Sequence, residues 1–194
     1  MNTEAGFIAR LLINESPFPG ERGWLSEEDT KATMLSILWV LHCRIAYVPD
    51  GYEQVQVAAI QSQNIIDVIT AGGEHGQCEG FYRDGAGRFV AVERVQARVN
   101  RLAGIAGQGT PGKFARLLQY GQGLASAYVK GGIDEADRFA GLKEIGRLKV
   151  TGRAYSWMSD KDYYNPGGLF VKIPDTAQGA LGGNRFFTLK ELSK

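Results

Sequence analysis

EAGFIARLLINE, residues 4–15, followed at once by SPFPGERGW, residues 16–24, is the stretch from which the rest of the chain can be read. Phe7, Ile8, Leu11 and Leu12 recur at the spacing that puts them on one face of a helix. Two prolines and two glycines in the next nine residues break that helix just after Asn14-Glu15. Glu15 is therefore expected at a helix end, with Leu11, Leu12 and Ile13 before it and Pro17 and Phe18 after it. A carboxyl group among apolar neighbours loses hydration, which disfavours its charged form and raises its pKa.

Helical signals continue outward. Ser26-x-x-Asp29 resembles a capping box, and Glu27, Glu28 and Asp29 lie where a helix N-terminus attracts anions. Met34, Leu35, Ile37, Leu38, Leu41 and Ile45 then recur at helical spacing and mark a central buried helix. The pattern predicts a further helix over residues 54–70, stopped by the glycines of AGGEHGQ, and another over 89–102 from apolar residues at 89, 92, 95, 99 and 102. Thr110-Pro111 reads as an N-cap with proline at the first helical position, opening a helix that reaches Gly131-Gly132. From Tyr155 onward YSWMSDKDYYNPGGLFVKI and GALGGNRFFTL read as loops and short strands. The expected fold is mainly α (α+β), one domain over 1–194, with a small irregular β/loop region.

Composition narrows the function classes. The 194 residues are 44% hydrophobic and 22% charged, typical of a globular chain. Lys and Arg number 22 against 21 Asp and Glu, so bulk electrostatics do not point to nucleic acid. No apolar run approaches the roughly 20 residues of a membrane span. Glu4 and Arg10 interrupt the start where a secretion signal would be apolar, so the expectation is synthesis in the cytoplasm without a signal peptide.

Cys43 and Cys78 are the only thiols, and His42 and His75 the only imidazoles. A disulfide closing a loop of about 34 residues would stabilise by roughly 3–4 kcal/mol in an oxidising compartment; two buried reduced thiols are the alternative. The usual paired spacings of zinc sites are missing, and neighbours on a helix point about 100° apart, so His42 and Cys43 do not easily share an ion. No metal or cofactor is expected. Cys78, three residues from His75 in a loop, is the better candidate for a nucleophile, because Cys43 falls near a helix C-terminus, where the dipole opposes a thiolate.

A raised carboxyl pKa is what general-acid cleavage of a glycosidic bond requires. A glutamate at a helix end can equally face solvent, and the aromatic tail is what favours the chemical reading. Trp157, Tyr163, Tyr164 and Phe170, mixed with Asp160, Asp162, Asn165 and Gly167-Gly168, have the composition of a carbohydrate groove, in which flat rings stack on sugars and polar groups bond their hydroxyls.

Four pieces, in order, carry a resemblance. Ala9-Arg10 to Asn14-Glu15 is similar to an opening helix that ends in a catalytic glutamate. Leu35 to Arg44-Ile45 is similar to a "VxxxVLNRV" helix, and IIDVITAGGEHGQC, residues 65–78, to a "VIxxxGQFSC" segment. Tyr163-Tyr164-Asn165-Pro166 is like a "YFNP" loop, and Gly182-Gly183-Asn184-Arg185-Phe186-Phe187 like a closing "IGxHxFY" strand. Together they resemble the cell-wall hydrolases of the spore-cortex-lytic type, in the lysozyme-like superfamily. Departures are the SPFPGERGW loop, a longer and more charged 79–130 region, and Asn184 or Arg185 in place of the closing strand's histidine.

The resemblance implies a lysozyme-like peptidoglycan glycoside hydrolase. Glu15 would protonate the bridging oxygen of a β-1,4 link between N-acetylmuramic acid and N-acetylglucosamine. Glu21 and Asp162, with Asp160, are candidates for a second carboxylate. Tyr163, Tyr164, Asn165 and Trp157 would bind glycan. The oxocarbenium charge would be resolved by water at a second carboxylate, by the 2-acetamido group, or by the 6-hydroxyl. The expected partners are glycan strands and an immunity protein occluding the site, as for toxins delivered by type VI secretion into a neighbour's periplasm. The competing readings are a cysteine-dependent amidase or peptidase and a non-catalytic module binding glycan or protein.

Overall fold

A computed structural model of the chain describes residues 3–108, 112–160 and 163–192. It is a mixed α+β fold with six α-helices and eight short strands among those residues. Helix α1 (Glu4–Asn14) ends where expected, with Glu15 as its C-cap, and Phe7, Ile8, Ala9, Leu11, Leu12 and Ile13 are buried. Helix α2 (Glu27–Ala46) is the central element. Ser26 Oγ accepts from the Asp29 amide at 3.0 Å, forming half of the predicted box. The Asp29 carboxylate turns elsewhere and accepts from the Gly182 amide at 3.1 Å.

Two predicted helices differ from what forms. Residues 54–70 split into α3 (Gln54–Ala58) and α4 (Ile65–Thr70). Ala59 stops α3 in a left-handed conformation, and Asn64 restarts the chain by accepting from Ile66 N at 2.8 Å. Gln54 spans the break, bonding the backbone of Ser62 through both its amide atoms and the Arg44 carbonyl. Residues 89–91 belong to a hairpin of β1 (Phe81–Arg83) with β2 (Phe89–Ala91), so helix α5 begins only at Glu93 and runs to Ala106. Phe7 of α1 holds this hairpin through ring contacts to Phe81 and Phe89. The predicted Thr110-Pro111 cap lies outside the described residues; helix α6 follows as Lys113–Gly131.

Helix α6 packs principally on α1 and also on α2 and α5. A side chain at Gly121 would meet Ile13 Cγ1 at 3.2 Å and Met34 Sδ at 3.3 Å, so its absence permits the close approach of α6 to both helices. Arg116 of α6 bonds both oxygens of Glu27 at the start of α2, and together with Lys31 it holds the Glu27 carboxyl down at about 2.

From Ser156 onward the chain forms short strands and connecting loops, as the punctuated aromatic pattern predicts from Tyr155. After the hairpin of β3 (Leu142–Ile145) and β4 (Leu148–Gly152), four strands make one antiparallel sheet. Strand β8 (Asn184–Leu189) is central, flanked by β5 (Ser156–Ser159) and β6 (Phe170–Lys172), with β7 (Ala180–Leu181) pairing its start. It is buried on both faces: Phe186 joins the main core, while Leu189 packs in a second cluster with Tyr155, Tyr52 and Cys43. This sheet meets the end of α1, and that junction positions the site.

Candidate active site around Glu15

Four elements converge on Glu15. Helix α1 delivers it, and its own amide still bonds Leu11 O at 2.9 Å, so the residue continues the helical turn. From β5, Trp157 Nε1 donates to Glu15 Oε2 at 3.2 Å; from the preceding position, Asn14 Nδ2 donates to Oε1 at 3.1 Å. From β8, Asn184 Nδ2 donates to the Glu15 carbonyl at 2.8 Å and also to Gly182 O. From α5, Arg98 donates to Ile13 O at 2.6 Å and Ser16 O at 2.9 Å, satisfying carbonyls that the end of α1 leaves free.

Burial pushes the Glu15 carboxyl above its ordinary value; the hydrogen bonds from Trp157 and Asn14 and the charges of Arg98 and Arg94 oppose this without cancelling it. The physical cause is loss of hydration on burial, which disfavours the charged form. The carboxyl lines an open pocket of about 160 Å³ that it shares with Ser16, Glu21, Arg22, Arg98 and Asn184. This is smaller than the sites that enclose a whole small-molecule ligand.

The pocket floor is built by close backbone approach. Gly182 and Gly183 form the turn entering β8, both at positive φ. Gly183 lies against Gly23 of the loop after Glu15, and a side chain at Gly182 would collide with Thr33. The indole of Trp157 is fixed from behind by Arg44, whose guanidinium carbon sits 5.5 Å from the ring centre. Arg44 is buried and bonds Tyr155 O at 2.8 Å and Gln77 Oε1 at 2.5 Å.

The other predicted site residues separate. Glu21 lines the Glu15 pocket, but not as a free base. Its oxygens accept from Arg98 at 2.5 Å, Arg101 at 2.9 Å and the Phe18 amide at 2.9 Å. Burial would raise its pKa, but these bonds and the Arg98 charge outweigh that and hold it below the usual value. Glu21 is thus an anchor for the loop. Asp160 is committed to Arg185 at 2.5 Å, and Asp162 lies outside the described residues. Trp157 touches Glu15 directly, whereas Tyr163, Tyr164 and Asn165 do not line its pocket. Tyr163 stacks on Phe187 with ring centres 6.4 Å apart; Tyr164 and Asn165 are exposed.

Both cysteines are free, buried and pushed up to about 12, chiefly by burial, so neither is a thiolate near neutral pH. Cys43 touches Asp137 at 3.9 Å, and His42 faces Tyr128 at 3.3 Å; no histidine bonds either thiol among the described residues. His75 is exposed.

Sequence reasoning missed Arg98 and Arg44. Arg44 carries a signal, since it stands seven residues after Ile37 and three after Leu41 on an apolar stripe, where a charged side chain needs a buried partner. Arg98 carries none, because its place depends on how α5 crosses the end of α1. No protein-family model, curated protein or solved structure matches this chain.

Proposed function

We propose that this chain is a glycoside hydrolase acting on peptidoglycan, with Glu15 as general acid. The observation that carries the reading is a desolvated carboxyl with a raised pKa, held at both oxygens and lining an open pocket. A raised pKa favours the protonated form, which can deliver its proton to the bridging oxygen of a β-1,4 link.

As the C–O bond breaks, Glu15 becomes a carboxylate. The Trp157 and Asn14 donors and the nearby Arg98 charge then stabilise the negative charge that develops. The leaving sugar keeps the proton, and positive charge appears on the anomeric carbon. Glu21 and Asp160 are spent on arginines, which favours quenching by the substrate's own 2-acetamido oxygen, or by its 6-hydroxyl with the hydroxyl proton returning to the Glu15 carboxylate, with Asp162 as the protein alternative. Anhydro or reducing-end products, separated by mass spectrometry of digested sacculi, distinguish these routes and identify the bond cut.

Glu15→Gln is the direct test. The amide can still accept from Trp157, and Asn14 can reverse its own amide to accept from the new N–H, so the fold is retained. Lysis of purified sacculi should fall by about 10²- to 10⁴-fold, the usual contribution of a general acid. A folded variant that lyses at the wild-type rate overturns the proposal. The same reading extends to an interbacterial toxin that acts in a neighbour's periplasm and is neutralised by a partner covering the Glu15 pocket. Growth arrest on periplasmic expression, relieved by the product of an adjacent gene, is the expected result.

A further inference from the structure

The pocket beside Glu15 is lined by two guanidiniums, Arg22 and Arg98, and by the carboxyl-bearing Glu15 and Glu21. Arg101 reaches the Glu21 carboxylate without lining the pocket itself. Arg98 is fully engaged, bonding two backbone carbonyls and Glu21. Arg101 shares the same carboxylate. One turn before Arg98 on α5, Arg94 is balanced by Glu79 in an exposed pair.

Arg22 differs from these. It lines the pocket, is exposed, and has no partner among the described residues. Its backbone is also held in place, because the next residue, Gly23, packs directly against Gly183 of the β7–β8 turn. Glu21, immediately before it, is bonded to Phe18 N, Arg98 and Arg101. An unpaired guanidinium on a loop pinned on both sides is ready to accept an anionic group, and its planar fork matches a carboxylate.

We propose that Arg22 is a carboxylate-binding subsite next to the scissile bond, selecting acidic glycan over neutral glycan. Two carboxylate sources exist on peptidoglycan: the lactyl ether of muramic acid where the peptide has been removed, and the stem peptide where it remains. A neutral β-1,4 N-acetylglucosamine oligomer offers neither. This inference rests on the glycan reading of the pocket and assigns to it the acidic class of substrate.

The test measures binding, so that it does not depend on turnover. Three soluble probes are titrated into the full chain carrying Glu15→Gln, with and without Arg22→Gln: peptide-free glycan strands, peptide-bearing strands, and the N-acetylglucosamine oligomer. Arg22→Gln should weaken binding to at least one carboxylate-bearing probe by roughly 3- to 10-fold, with Arg22→Lys intermediate and the neutral oligomer unaffected. Which acidic probe responds identifies the source. Equal weakening of all three probes, or of none, overturns the subsite and leaves the glycan reading standing. Failure of the Arg22-intact protein to bind any of them overturns the glycan reading and the subsite with it.

Discussion

Glu15 is a helix C-cap that has lost most of its water and retained two hydrogen-bond donors. These influences oppose each other: burial raises its pKa, and the Trp157 and Asn14 bonds lower it. Removing one donor therefore has a definite sign. Trp157→Phe keeps the ring over Arg44 but deletes the N–H, so the carboxylate loses a stabilising bond and the pKa rises further. In the proposed reaction the acid must be protonated, so activity falls as pH rises through that pKa. The basic limb of the pH profile should move to higher pH in Trp157→Phe, with a lower maximum rate as the transition-state donor is lost. An unmoved limb would show that Trp157 does not tune the acid. Stability follows the same proton. A carboxyl with a raised folded-state pKa adds stability below its unfolded value and loses it as pH rises through the folded one. Glu15→Gln should thus be more heat-stable than wild type at neutral pH, with the difference closing in acid, as read by thermal unfolding at several pH values.

The loop after α1 works as an element, held by partners remote in the chain. Arg98 and Arg101 reach it from α5, Thr30 of α2 donates to Pro17 O at 2.8 Å, and Gly183 packs on Gly23. Glu21 joins the arginines to the Phe18 amide. Glu21→Gln should therefore cost about 1–2 kcal/mol in chemical denaturation, because a partly buried charge pair loses one member. Activity should drop less than about 10-fold, with an unchanged product. A second catalytic carboxylate would show a far larger loss and no change in stability. The elements themselves were unevenly legible. The first two helices announce themselves by stripe and cap. The 54–70 helix is broken because Gln54 and Asn64 bond the backbone across the gap, a competition that apolar spacing does not register. Phe89 looks helical by period but pairs with Arg83 across a hairpin whose apolar partner is Phe7, far away in sequence.

Across the whole molecule, the two buried thiols lie in different core clusters, Cys78 in the main one and Cys43 with Tyr155 and Leu189. Both are core side chains with pKa values near 12. A Cys43→Ala/Cys78→Ala double variant should lyse sacculi within about 2-fold of wild type while losing roughly 2 kcal/mol of stability, since each change leaves a small cavity. Loss of all activity in a folded double variant would restore the cysteine-dependent alternative. The amino-acid order alone determined the helix that ends at Glu15, the apolar face that this helix buries, and the short-strand character of the tail, because these depend on neighbours a few positions apart. Only the tertiary structure decided that Trp157 rather than the tyrosine pair reaches Glu15, that Glu21 is an anchor, and that Arg22 has no partner among the described residues. Those outcomes depend on where α5 and β8 cross the end of α1, and contacts between segments so distant along the chain leave no periodic trace in it.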